Sequence, residues 1–438
     1  MSNARRDSWR LAWPLVLSNL SVPLLGMVDT AVVGHLPDPA QLGAVALGAS
    51  VASMLYFAFG FLRMGTTALA AQALGGADAD ELRAVLLRGL GVALAIGLVI
   101  VATAPLAVTA GLAIFAPGVE IAPSFEAYVR LRLLGAPAAL AGFVLVGWLL
   151  GLQDSRRPLA LMLATNGLNA LLDVLLVFGL GMAADGVALA TAISDYAGLA
   201  IGLLILRPAW RRLGGGLPPR AAVLRRERFL RLFRVNRDIF MRSLMLEAAF
   251  TTFAALSSRQ GELVLAANAV LKTFFTLASF GLDGFAHAAE AMVGRAVGAR
   301  DRPGFKAAVQ AGFVNGALLS VGLAVLLWLG GGLLIGLLTS LEPVRALALV
   351  YLPYAAILPL VAVWAFLWDG VFFGATRTAE LRNAMILALL VFLAAALALP
   401  PLLGNHGLWL ALLLFLGARG LFLGLSYRRA GEAFAFPS

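Results

Sequence analysis

Several carboxylates in this chain lie where water is scarce. Asp29 sits well inside the apolar run Ser18–Leu36, SNLSVPLLGMVDTAVVGHL. A charge at the centre of a membrane helix costs about 2.5–3.5 kcal/mol on insertion scales. A carboxylate escapes that cost by binding a proton or a cation, or by facing a water-filled cavity. Pro23 stands six residues earlier, removes the helical hydrogen bond to the Asn19 carbonyl and favours a bend. A titratable group beside a built-in bend is the pattern of a moving part coupled to an ion. The alternative is an aspartate satisfied by a neighbouring helix for packing alone.

Two further stripes carry the same kind of chemistry. Asn166, Asn169 and Asp173 fall at i, i+3 and i+7, so they share one helix face. Thr191 and Asp195, four apart, share a face of the following apolar segment. With Asp29 they supply carboxylates, amides and a hydroxyl, hard oxygen ligands suited to a proton or an alkali cation. Two carboxylates close together in low dielectric cannot both ionise cheaply, so such a pair is expected to hold a proton in the working pH range. Asn166, Asp195, Arg63 and Met27 are candidates to line a substrate cavity. Arg63, inside an apolar segment, is expected to pair with a carboxylate or to snorkel.

The second half of the chain has its own polar stripe, Asn268, Lys272, Asp283, His287 and Glu290 at helical spacing, with Glu247 and Asp369 nearby in other apolar segments. It reads equally as internal charge pairing of the Lys272–Asp283 kind or as a transport path. His287 and Glu290 alone are too few ligands for a metal site.

The elements that position these groups are membrane helices. Of 438 residues 61% are hydrophobic and 13% charged, which excludes an ordinary soluble domain. The apolar runs are long and continuous, so helices rather than barrel strands are expected. Twelve spans are expected, from about 10–35 through to 405–427. The fold class is therefore an all-α polytopic membrane protein with twelve transmembrane helices. No cysteine is present, which excludes disulfides and thiolate metal sites. No P-loop and no nucleophile–base arrangement stands out, so neither ATP nor enzymatic catalysis is expected, and no cofactor beyond a coupling ion.

The net charge of +10 does not call for nucleic acid, because the arginines crowd into alternate loops. With the N-terminus inside, the outer loops hold only Arg259 and Arg345, which places both termini in the cytoplasm. The strongest composition shift is the basic stretch PAWRRLGGGLPPRAAVLRRERFLRLFR at Pro208–Arg234, read as a cytoplasmic tether lying on anionic lipid headgroups. It divides residues 1–207, a six-helix lobe, from residues 236–438, a second one, with the linker at 208–235.

The halves resemble each other. LGAVAL at Leu42–Leu47 matches LAANAV at Leu265–Val270 at an offset of 223, which also pairs Asp78 with Asp301, Tyr128 with Tyr351 and Gly151 with Gly374. Six spans per half is even, so the repeat is parallel, an architecture that suits alternating access.

VDTAVVGHL at Val28–Leu36, NGLNALLDV at Asn166–Val174, LDGFAHAAEAMVGRAVGARD at Leu282–Asp301 and LWDGVFFGATRTAELRN at Leu367–Asn383 resemble the multidrug and toxic compound extrusion (MATE) family, in its DinF-like branch. The resemblance implies two six-helix lobes and export of organic, often cationic or amphipathic, drugs or toxic compounds in exchange for protons or sodium. It implies that Asp29 is the first-helix carboxylate of proton coupling, with Asn169, Asp173 and Thr191 as partners and Pro23 as the hinge. It also offers a C-lobe cation site at Glu247 and Asp369, as in a sodium-coupled branch. The expectation is a proton-coupled antiporter in a bacterial inner membrane, with lipids around it and no obligate protein partner. Its rivals are a sodium-coupled antiporter and a lipid or oligosaccharide flippase.

Overall fold

A computed structural model describes residues 3–436, and among them every regular element is helical. Among the described residues eleven helices are long and apolar enough to cross a membrane, and a bent pair, taken as one span, brings the number to twelve. The first six are Asn3–Gly34, Pro39–Gly75, Ala79–Ala102, the pair Ala122–Leu134 and Ala136–Gly151, Arg156–Gly179 and Ala184–Arg212. The last six are Arg220–Ser258, Glu262–Gly298, Arg302–Leu338, Glu342–Gly374, Thr378–Ala398 and Asn405–Ala430. Spans of thirty residues and more exceed the roughly 20 needed to cross a bilayer.

The internal repeat is written into the backbone. Ala77 and Arg300 both adopt left-handed φ, 52° and 54°, and stand 223 residues apart. Gln153 and Thr376, at 63° and 55°, repeat the same offset. The first pair closes a helix in the same way each time. Ala77 N–H bonds Leu74 O and Asp78 N–H bonds Ala73 O, while Arg300 bonds Val297 O and Asp301 bonds Ala296 O. Asp78 and Asp301 then cap the following helix, accepting from Glu81 N at 2.8 Å and from Gly304 N at 2.9 Å.

Helix crossings repeat as well. A Cβ on Gly147 would lie 2.3 Å from Arg63 O, and one on Gly370 would lie 2.1 Å from Ala286 O, each partner again 223 residues apart. Only glycine lets backbones approach so closely.

The chain folds as two compact units whose boundaries differ from those expected. Residues 3–16 group with the chain from Phe233 onward, and Leu17–Leu232 form the other unit. The cause is side-chain packing along the start of the first span. Trp9 meets the edge of Phe285 at 4.8 Å, and Gly284 leaves the space that Ala12 and Val16 fill. Buried Asn315 takes Arg5 Nε at 3.3 Å and donates to Arg5 O at 2.9 Å.

The linker is also tied to the helices of its own unit. Arg83 donates to Gly216 O and Arg88 to Ala222 O, both at 2.9 Å, so the linker is docked on the third span. Arg88 is buried and held by Glu81 at 2.5 Å, which Arg228 also reaches at 3.6 Å. The basic half is no separate surface helix, since helix Arg226–Ser258 runs on into the seventh span.

Candidate functional site

The polar groups of the Leu17–Leu232 unit converge on two aspartates. Asp173 is fully buried in the fifth span. Asp29 from the first span stands near enough for the two carboxyl groups to act on each other. Among the described residues no N–H or O–H donor reaches Asp29 Oδ1 or either oxygen of Asp173. One turn before Asp173, buried Asn169 donates to Thr191 Oγ1 at 3.2 Å, and Thr191 donates to Val187 O at 2.9 Å. Asn169 Oδ1 is left without a donor too. Two carboxyl groups and an amide oxygen therefore meet with more acceptors than donors. A proton or a small cation resolves that imbalance, because a buried acceptor left unmatched costs about 1–3 kcal/mol. Directly after Val174 the helix widens into a π-helical turn at Leu175–Gly179, a distortion common at functional sites.

The other residues singled out in this unit are placed differently. Asn166 donates to Ser21 Oγ at 3.1 Å, tying the fifth span to the first. Met27 is exposed, and Arg63 is half-buried beneath Gly147 at the break within the second span. The first-span helix runs through Pro23 without interruption from Asn3 to Gly34. Asp195 does not join the aspartate pair as a cavity carboxylate. It holds Arg132 at 2.8 Å.

That ion pair sits at the break in the fourth span, where Ala122–Leu134 and Ala136–Gly151 meet at 46°. Gly135 is required there, since a Cβ would lie 2.7 Å from Asp195 Oδ2. Tyr56 OH donates to Arg132 O at 3.2 Å and Tyr196 OH to Leu134 O at 3.0 Å, satisfying carbonyls that the break frees. Arg132 also stacks over the Tyr56 ring at 4.7 Å, and its charge acts on Asp29. Sequence reasoning missed this joint. The signal was an arginine beside GAP (Gly135–Pro137) in mid-span.

In the other unit the cation site anticipated at Glu247 and Asp369 is corrected. Asp369 is bound by Arg419 at 2.7 Å and by Arg242, with all three residues buried. Both guanidinium groups grip Oδ2, and two positive charges beside one carboxylate oppose a metal cation there, although Oδ1 has no donor among the described residues. Glu247 remains half-buried in the seventh span. A Lys272–Asp283 pair is also excluded, because eleven residues of helix separate them by about 16 Å. Lys272 lies over the Phe250 ring at 5.6 Å instead, and Asp283 acts on Arg419. Glu290 is fully buried, 3.6 Å from His287 Nδ1. Asn268 forms a buried cluster with Ser257, Asn405 and Trp409, a packing role.

The chain has known relatives. The MatE family model matches the chain twice, over residues 14–175 and 239–399, once in each half. The chain is 43% identical over 429 residues to DNA damage-inducible protein F of Escherichia coli (strain K12), covering 98% of this chain and 93% of that one. It is 28% identical over 460 residues to the probable multidrug resistance protein NorM of Xanthomonas campestris, covering 98% and 94%. The solved structure of a mutant of the Vibrio cholerae MATE transporter VcmN superposes with a TM-score of 0.88 at 20% identity, over 99% of both chains. With its family model matched in both halves and a relative of 43% identity along nearly its whole length, the chain belongs to the MATE family of multidrug transporters, which are membrane transporters and not enzymes.

Proposed function

We propose that this transporter is a proton-coupled antiporter that exports organic, mostly cationic or amphipathic, compounds across a bacterial inner membrane, with both termini cytoplasmic. The observation that carries the reading is the Asp29–Asp173 pair, two neighbouring carboxyl groups that act on each other, with no protein donor supplied to Asp173. Two such groups in a low dielectric cannot both ionise cheaply, so one of them holds a proton more readily than a lone carboxyl does.

The exchange then follows from charge. With the pair ionised, the site attracts a cationic compound. Protonation from the outer side neutralises it, weakens that attraction and lets the compound leave, while the first span bends at Pro23. Deprotonation on the cytoplasmic side restores the charge. The membrane potential alone contributes about 2.3 kcal/mol per charge per 100 mV. Asn169 and Thr191 hold the fifth and sixth spans in register around the pair.

A sodium ion suits the same oxygen set, so the coupling ion needs its own test. The flippase reading is weaker. Half-buried Arg132 and buried Arg242 and Arg419 are each committed to a carboxylate rather than presented to a phosphate.

The test is ethidium transport in proteoliposomes under a pH gradient or a sodium gradient imposed separately. A pH gradient alone is expected to drive transport, and Asp29→Asn to abolish it. Full pH-driven transport by Asp29→Asn would overturn the reading, and transport driven only by sodium would replace the proton.

A further inference from the structure

Near the end of the chain the tenth and twelfth spans, Glu342–Gly374 and Asn405–Ala430, enclose a groove of about 330 Å³ that the transport site does not use. Its floor is built by close approach. A Cβ on Gly420 would lie 2.8 Å from Trp364 Cβ, and one on Gly424 would lie 3.3 Å from Trp368 Nε1. The twelfth span can therefore settle onto two indoles while leaving a trough between them. Leu421 and Leu425 wall the trough, and Arg428 closes one end, in the last turn of the helix.

Three properties of this groove point to one kind of ligand. Its wall is apolar, and Trp364 is 51% exposed, so an acyl chain running along the helix axis can lie against it. Trp368 is fixed by Phe313 at 4.6 Å and Tyr427 at 4.7 Å. Its indole N–H faces Gly424 and donates to no protein group among the described residues, whereas Trp148, Trp210 and Trp409 all donate to protein oxygens. The Arg428 guanidinium likewise pairs with no carboxylate among the described residues. An apolar trough, an N–H donor and a guanidinium, both unpaired among the described residues, complement a molecule with a long acyl chain and a negative headgroup.

We propose that this groove is a binding site for an anionic phospholipid. The acyl chain lies against Trp364, Leu421 and Leu425. The phosphate is held by Arg428, and the Trp368 N–H donates to a phosphate or ester oxygen. Arginines at the ends of membrane helices attract anionic headgroups in this way. The site is independent of which ion drives transport.

Native mass spectrometry of the full chain, titrated with phosphatidylglycerol or phosphatidylcholine of identical acyl chains, tests the assignment. Wild type is expected to retain phosphatidylglycerol about fivefold better, the order expected for one arginine at an anionic headgroup. Arg428→Gln, a change at an exposed position, is expected to remove that preference while Arg429→Gln keeps most of it. Gly417→Leu, whose Cβ has ordinary room beside Val361 at 3.5 Å, is expected to fill the trough and lower retention of both lipids. Equal retention of the two lipids by wild type would overturn the proposal. So would a preference that follows Arg429 instead of Arg428, which would mark a diffuse basic rim.

Discussion

The two halves of this transporter share a scaffold and divide the chemistry. Left-handed turns, aspartate caps and glycine crossings recur at an offset of 223, yet the charged groups buried within the spans do not. The position 223 residues after Asp29 is Thr252, and that after Asp173 is Ala396. Conversely, Asp369 corresponds to Val146 and Arg419 to Tyr196. In the first half two carboxyl groups face each other without protein donors, and in the second a single carboxylate is neutralised by two arginines. Backbone geometry is retained because each close crossing tolerates only glycine. The polar positions carry no such constraint and have diverged. A carboxyl pair without protein donors can change its charge state, whereas a carboxylate gripped by two guanidinium groups holds helices together.

That contrast can be broken in several ways. The largest effect is expected at Asp173→Asn, which should abolish pH-driven transport in proteoliposomes while leaving thermal unfolding in detergent nearly unchanged. Asp369→Asn should do the reverse in kind. It takes from buried Arg242 and Arg419 the carboxylate they share, and removing one partner of a buried ion pair costs about 3–5 kcal/mol. The expected result is a clear fall in unfolding temperature. An unchanged melt with selective loss of pH coupling would assign the C-terminal carboxylate to the transport cycle instead.

Smaller effects sharpen the scaffold side of the comparison. Gly147→Ala and Gly370→Ala each drive a methyl group into a backbone carbonyl, at 2.3 and 2.1 Å, and should destabilise by similar amounts, about 1–3 kcal/mol. Strongly unequal losses in denaturation experiments would mean that the crossings are not equivalent. The smallest change is expected from Ala77→Gly and Arg300→Gly. Both relieve left-handed strain at a helix end and should stabilise by about 0.5–1 kcal/mol each.

Much of this molecule is legible in one dimension. Apolar runs long enough to cross a bilayer marked the twelve spans, because a chain in lipid has to satisfy its backbone within helices. The repeat showed through matched residues at one offset, and Asn166, Asn169 and Asp173 declared a common face by helical period alone. Which faces meet is another matter. Asp29 lies 144 residues before Asp173, Arg132 lies 63 before Asp195, and Arg242 lies 127 before Asp369. Periodicity ranks residues around one helix axis and is silent about the neighbour opposite, so Asp369 read as a cation ligand until its two arginines were seen. The same holds for residues 3–16, assigned by sequence to the half they begin and by packing to the other. An apolar helix face offers the same surface to any partner, and only the tertiary structure decides whether a Trp9 meets a Phe285 or a lipid chain.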